Sequence, residues 1–200
     1  MKKEKMKEMD VVFLLDRSGS MTGMEMDTIG GYNSYLEKQR RNGYKTKITT
    51  VLFDDKYEVL KMREDIQNVS NITNKEYYCR GCTALYDAIG KTIKTIENSV
   101  NNKVLFVITT DGLENASREY NRNSVFNLIK KHDDWEFIYI GANIDSYAEG
   151  HNIGIRSSNI ANYKKTTDGT KRMFNAVYEA TSCLMDYGEV GTSWKNKLED

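Results

Sequence analysis

Residues 10–21 read DVVFLLDRSGSM. A run of five apolar residues, Val11 to Leu15, stops at an aspartate, and serines follow at alternate positions, Ser18 and Ser20. A short apolar run bounded by polar residues is the pattern of a strand buried on both faces, as in a parallel sheet covered by helices. Open sheets of that kind bind ligands beyond the carboxyl ends of their strands. Asp16 stands at that end, and Gly19 lets the next loop turn tightly. The stretch therefore predicts a fold class and also the edge at which chemistry should be sought.

The same alternation continues outward. Residues 24–41 carry Ile29, Tyr32, Asn33 and Leu36 at helical spacing and end in Lys38, Arg40 and Arg41, with Gly43 as the stop. Cations suit a helix C-terminus, and glycine suits the position after it. KITTVLF (47–53) reads as a strand, and YEVLKM (57–62) follows it across the polar turn Asp54-Asp55-Lys56. That hairpin makes the second strand antiparallel. TALYDAIGKTIKTIEN (83–98) places Leu85, Ala88, Ile89, Ile93 and Ile96 on one helical face. KVLFVITT (103–110) is another buried strand, SVFNLIKK (124–131) a helix, WEFIYIG (135–141) a strand and IDSYAEGH (144–151) a short helix. NIAN (159–162) is a weak last strand. Residues 170–187 form a long closing helix with Met173, Phe174, Val177, Thr181 and Leu184 inward. The expected fold is a three-layer, Rossmann-like α/β sandwich: a mostly parallel sheet, one antiparallel edge strand, and helices on both faces. Its crossovers should be right-handed.

At 200 residues, with no linker or internal repeat, the chain reads as one domain. Residues 1–9 form a charged extension, and about 188–200 a loose tail. Hydrophobic residues at 39% and charged residues at 29% exclude a disordered chain. Lys+Arg and Asp+Glu both number 29, which argues against a dedicated nucleic-acid binder. The apolar run after the charged start is too short for a signal peptide, and nothing approaches a membrane span. A cytoplasmic protein is expected. Cys79, Cys82 and Cys183 suggest no disulfide framework. The C-R-G-C pair lacks the second pair that a structural zinc site needs, so these read as ordinary thiols.

A second acid, Asp111, ends the VLFVITT strand in T-T-D-G, and Thr83 opens a helix in R-G-C-T. Three loops thus bring Asp16, Ser18, Ser20, Thr83 and Asp111 to one edge. The set is all oxygen, with hydroxyls outnumbering carboxylates, and suits Mg²⁺ or Mn²⁺ better than Ca²⁺. Alternatives attach to single members: Asp16 as a turn residue, Thr83 as a helix N-cap. Asp54, Asp55, Glu114, Asn115 and Asn143 are rim candidates, with turn or solvated-loop roles as the plainer reading.

D-x-S-x-S after a buried strand, a later Thr at a helix start and an Asp in a T-D-G turn together resemble the metal-ion-dependent adhesion site of von Willebrand factor A-type domains. FLLDRSGSM, GGYNSYLEKQR, TVLFDD, ALYDAIGKTI, VITTDGLENAS and WEFIYIGANID extend the resemblance over most of the chain, in a bacterial single-domain form. A Cys at position 82, before Thr83, departs from the small residue usual there. The resemblance implies that Ser18 and Ser20 bind the metal directly, that Thr83 binds directly or through water, and that Asp16 and Asp111 hold waters or alternate as ligands. It also implies that an Asp or Glu of a partner protein completes the shell. Two aspartates and a divalent ion sum to about zero charge, which leaves the metal Lewis-acidic toward one more anion. The function expected is a metal-dependent protein-binding module and not an enzyme, with no nucleic acid and no membrane as partner. A Mg²⁺-dependent phosphohydrolase of haloacid dehalogenase type is the alternative from another class. It requires a second acid where this chain has Ser18. A scaffold that has lost its metal is the third reading.

Overall fold

The structure, a computed structural model, describes residues 8–198. Six strands and five helices alternate: β1 (Glu8–Asp16), α1 (Glu25–Arg41), β2 (Lys45–Phe53), β3 (Tyr57–Asp65), α2 (Leu85–Ile96), β4 (Lys103–Thr110), α3 (Arg122–Lys131), β5 (Glu136–Gly141), α4 (Ser146–Asn152), β6 (Ile160–Asn162) and α5 (Thr167–Tyr187). The strands form one sheet in the order β3-β2-β1-β4-β5-β6. Every pairing is parallel except β2 with β3 at the edge, as the hairpin reading expected. The strand order runs outward in both directions from the β1/β4 pair. The crevice of a doubly wound sheet opens at that switch point.

Alternation of side chains along β1 divides the core. Met9, Val11, Phe13 and Leu15 face one layer, with Ile29, Tyr32 and Leu36 of α1 and Met173, Phe174, Val177 and Leu184 of α5. Val12 and Leu14 face the other, with Leu85, Ile89, Ile93 and Ile96 of α2 and Val125, Leu128 and Ile129 of α3. This is the period-2 pattern of a strand covered on both faces. Burial of each Leu, Ile or Phe side chain contributes about 1.5–3 kcal/mol before conformational entropy is subtracted. Gly31 permits the close α1–α5 approach, since a Cβ there would meet the Phe174 ring at 2.2 Å.

Two terminal expectations change. Glu8 and Met9 are strand residues, so the charged extension ends earlier than position 9, and residues 1–7 lie outside the described part. The segment after α5 is docked and not loose. Gly188 ends α5 in a left-handed conformation (φ 79°), and the chain then folds back to bury Val190, Trp194 and Leu198. Trp194 Nε1 donates to the Ser158 carbonyl at 3.0 Å. Lys195 Nζ donates to the Ser157 and Ile160 carbonyls and to the Tyr147 hydroxyl. Three apolar residues spaced four apart, from 190 to 198, were too sparse a signal to separate from a solvated tail.

Candidate functional site

β1 and β4 are hydrogen-bonded neighbours, with Leu15 opposite Thr109, so their ends emerge side by side. Asp16 ends β1 and Asp111 follows β4 by one residue. The Asp16 carboxylate is 1% exposed. Its Oδ1 accepts from the Ser18 amide at 2.7 Å and its Oδ2 from the Thr110 hydroxyl at 2.5 Å. The first bond closes the Asp-x-Ser turn, which explains the alternate spacing of the serines. Ser18 Oγ and Ser20 Oγ lie 3.0 Å apart, and Ser20 Oγ donates to Asp111 Oδ1 at 2.5 Å. Thr83 enters from the third loop. A Cβ on Gly112 would fall 2.7 Å from Thr83 Oγ1 and 3.3 Å from Ser20 Oγ, so a side chain at 112 would fill the space between them. The five expected residues therefore converge.

Asp16 is held by neutral donors, whereas Asp111 faces the Lys165 ammonium. Burial pushes the Asp16 carboxyl up to about 6, despite its Thr110 and Ser18 hydrogen bonds, and Asp111 pushes it further. Two carboxylates and three hydroxyls form a hard, oxygen-only donor set around a gap that a Cβ would occupy. These residues fit an ion such as Mg²⁺ or Mn²⁺.

Three of the rim candidates, Asp54, Glu114 and Asn115, resolve into supports. Thr83 does not cap α2, because the helix begins at Leu85 with Ala84 at its N-cap and no side-chain cap bond from that position. Glu114 and Ser117 supply those acceptors: Tyr86 N donates to Glu114 Oε2 at 2.9 Å and Asp87 N to Ser117 Oγ at 3.0 Å. Asn115 clasps Thr83 from both sides, accepting from its amide at 2.9 Å and donating its own amide to the Thr83 carbonyl at 3.0 Å. Asp54 is fully buried and takes Arg17 Nε at 2.9 Å and Arg80 Nε at 2.7 Å. Its carbonyl accepts from Ala84 N at 2.8 Å, which ties β2 to the Thr83 loop. Asp55 and Asn143 are exposed, and Asn143 adopts a left-handed backbone (φ 57°).

Four contributors were not anticipated. Thr110 orients Asp16, and the T-T-D-G sequence held that signal. Tyr77 donates its buried hydroxyl to the Asp16 carbonyl at 2.5 Å. Arg17, 0% exposed, spans Asp54 and Glu58 and so anchors the chain between Asp16 and Ser18 with ion pairs. Lys165, before α5, places Nζ 2.7 Å from Asp111 Oδ2. Nothing in the local sequence marks that lysine. Both histidines are engaged elsewhere, His132 with Glu97 and His151 with Ser157.

No family model and no curated protein matches the sequence. Solved structures do. Proximal thread matrix protein 1 from the mussel byssus, in a form with a zinc-occupied MIDAS motif, superposes with a TM-score of 0.61 at 16% identity, over 86% of this chain and 45% of that one. A von Willebrand factor type A protein from Catenulispora acidiphila gives 0.65 at 14% identity, over 88% and 43%. The PilB minor pilin from Streptococcus sanguinis gives 0.68 at 10% identity, over 92% and 63%. The chain thus spans less than two thirds of each of these proteins. With its strand order reversing at the β1/β4 pair and its antiparallel edge strand, the protein has the fold of the von Willebrand factor A-type domains. Among the described residues no helix is long and apolar enough to cross a membrane.

Proposed function

We propose that this protein is a metal-dependent protein-binding module without catalytic activity. Asp16, Ser18, Ser20, Thr83 and Asp111 hold a divalent cation, Mg²⁺ or Mn²⁺ before Ca²⁺. A carboxylate of a partner protein, from Asp or Glu, completes its coordination. The observation that carries this reading is the convergence of those five side chains from three loops. Among them Asp16 is a buried carboxylate held by neutral donors alone. A bound cation would supply positive charge for the two carboxylates and one site for an anionic ligand. The chain's own residues supply the placement: Thr110 and the Ser18 amide fix Asp16, Asn115 fixes Thr83, and Gly112 keeps the centre open. The neighbour with a zinc-occupied MIDAS motif supports metal binding by a domain of this fold. Neither histidine reaches the five residues, which supports binding over general acid–base chemistry. All three cysteines are unpaired, in keeping with a reducing compartment such as the cytoplasm.

The test is selection of peptides from a random display library in millimolar Mg²⁺, followed by elution with chelator. Selected peptides should share an Asp or Glu whose change to Asn or Gln abolishes binding, and Asp16→Ala protein should select none of them. Peptides that bind equally well in chelator, or that need no acid, overturn the reading.

A further inference from the structure

Lys165 lies in the short link between β6 and α5, 145 residues from Ser20 in sequence, yet its ammonium meets the site. It contacts Asp111 Oδ2 at 2.7 Å and donates to the Ser20 carbonyl. The other Asp111 oxygen, Oδ1, takes the Ser20 hydroxyl at 2.5 Å. The lysine side chain is 21% exposed and Asp111 only 2%, so the pair is largely withdrawn from solvent. The link that carries it is anchored. Tyr163 N donates to the Gly141 carbonyl at 2.9 Å, Thr166 N to the Lys164 carbonyl at 2.8 Å, and Thr166 Oγ1 caps α5 by accepting from Gly169 N at 3.0 Å. A tether this short aims the lysine at Asp111.

We propose that Lys165 is a built-in cation that weakens the site's hold on a divalent ion and so makes metal retention depend on an acidic partner; this rests on the metal-site reading above. The reason is charge. Asp16 and Asp111 together carry −2, and Lys165 already offsets one unit. A divalent ion then takes the cluster to +1 and not to zero. It meets a like charge held beside Asp111, in a region where burial limits screening. The metal alone is disfavoured. A partner carboxylate returns the cluster to neutrality, so metal and acid each strengthen the other's binding, as linkage requires. The lysine acts through Asp111 as a positioning and charge-setting residue.

The measurement is Mn²⁺ titration calorimetry on the full chain, as wild type, Lys165→Met and Lys165→Arg, with far-UV circular dichroism to verify that each is folded. Lys165→Met should bind Mn²⁺ at least tenfold more tightly, equivalent to about 1.4 kcal/mol. Lys165→Arg should stay within a factor of three of wild type. In chelator, Lys165→Met should melt below wild type, because Asp111 loses its counter-charge beside Asp16. Adding acetate as a carboxylate probe should tighten Mn²⁺ binding in wild type more than in Lys165→Met. Unchanged or weaker Mn²⁺ binding in Lys165→Met overturns the proposal alone: the lysine would then only orient Asp111. Should Lys165→Met misfold, Lys165→Gln takes its place under the same criteria. If no variant binds Mn²⁺ at millimolar concentration, the metal-site reading fails and takes this proposal with it.

Discussion

Asp16 and Asp54 are two aspartates at the carboxyl ends of neighbouring strands, both almost fully buried, and they are treated in opposite ways. Asp54 receives two guanidinium groups, from Arg17 and Arg80, and the Lys56 amide. Burial would raise its carboxyl, but those partners outweigh burial and hold it below the usual carboxylate value. Asp16 receives a serine amide and a threonine hydroxyl, and burial wins, pushing it up to about 6. A buried carboxylate is normally paired or bound to a metal. Asp54 meets the first condition inside the chain. Asp16 has only neutral donors, and the metal proposed above would meet the second. The contrast separates an acid neutralised inside the chain from one that is not, a distinction the sequence Asp-Asp-Lys beside Asp-Arg-Ser does not display.

The comparison is most directly broken by removing each acid in turn. Asp54→Ala takes the shared acceptor from Arg80 and from the fully buried Arg17, leaves Arg17 with the half-exposed Glu58 as its acid, and should cost about 3 kcal/mol of stability, since breaking a buried ion pair leaves its charge poorly compensated. Asp16→Ala in chelator should cost little or raise stability, because it removes a desolvated carboxylate. Urea unfolding of both variants in chelator measures the difference. Equal losses would show that Asp16 is as structural as Asp54.

The next effect is in pH. A carboxylate whose folded value exceeds its ordinary value of 3.8 binds its proton more tightly in the native state. Its contribution favours folding below about pH 4 and is lost as pH rises through about 6. In chelator, wild type should therefore lose up to about 3 kcal/mol relative to Asp16→Asn between pH 3.5 and 7. The difference between the two proteins isolates Asp16 from the other carboxylates, among them Glu97, whose Lys131 and Lys94 hydrogen bonds lower it to about 2. A constant difference across that range would contradict the burial argument.

A smaller gain should come from metal. At a hundredfold excess over its dissociation constant, an ion that binds only the native state adds about 2.7 kcal/mol. Differential scanning fluorimetry with Mg²⁺ or Mn²⁺ should show this in wild type and not in Asp16→Ala. The smallest effect concerns the support of Thr83. Asn115→Ala removes the side-chain acceptor of the Thr83 amide and should cost about 1 kcal/mol of stability. It should also weaken metal binding severalfold without abolishing it. Calorimetry that finds wild-type affinity in Asn115→Ala would leave Asn115 as a loop residue only.

Sequence legibility followed the range of the interactions. β1, β4 and the hairpin were readable because an apolar run between polar stops is a local pattern, and β4 matched its expected bounds, 103–110. Asp16, Ser18 and Ser20 were readable because one turn holds them, and Asp111 and Thr83 because their loops follow recognisable elements. Tyr77 and Lys165 lay beyond that reading, and Asn115, a rim candidate, was readable as a loop residue near the site but not as the clasp on Thr83. Tyr77 and Lys165 act on the site from distant points in the chain, across 61 and 145 residues respectively, and carry no local signature. The docked segment at 190–198 was missed for the same reason, because its burial depends on a groove that other elements create.

The sequence by itself determined the layered α/β architecture and the identity of five oxygen-bearing residues, because periodicity and turn chemistry are encoded within a few positions. Only the tertiary structure decided which of the buried acids is neutralised and which is not. That choice depends on where Arg17, Arg80 and Lys165 end up in space, and electrostatic pairing is a matter of distance and burial, neither of which is linear in sequence.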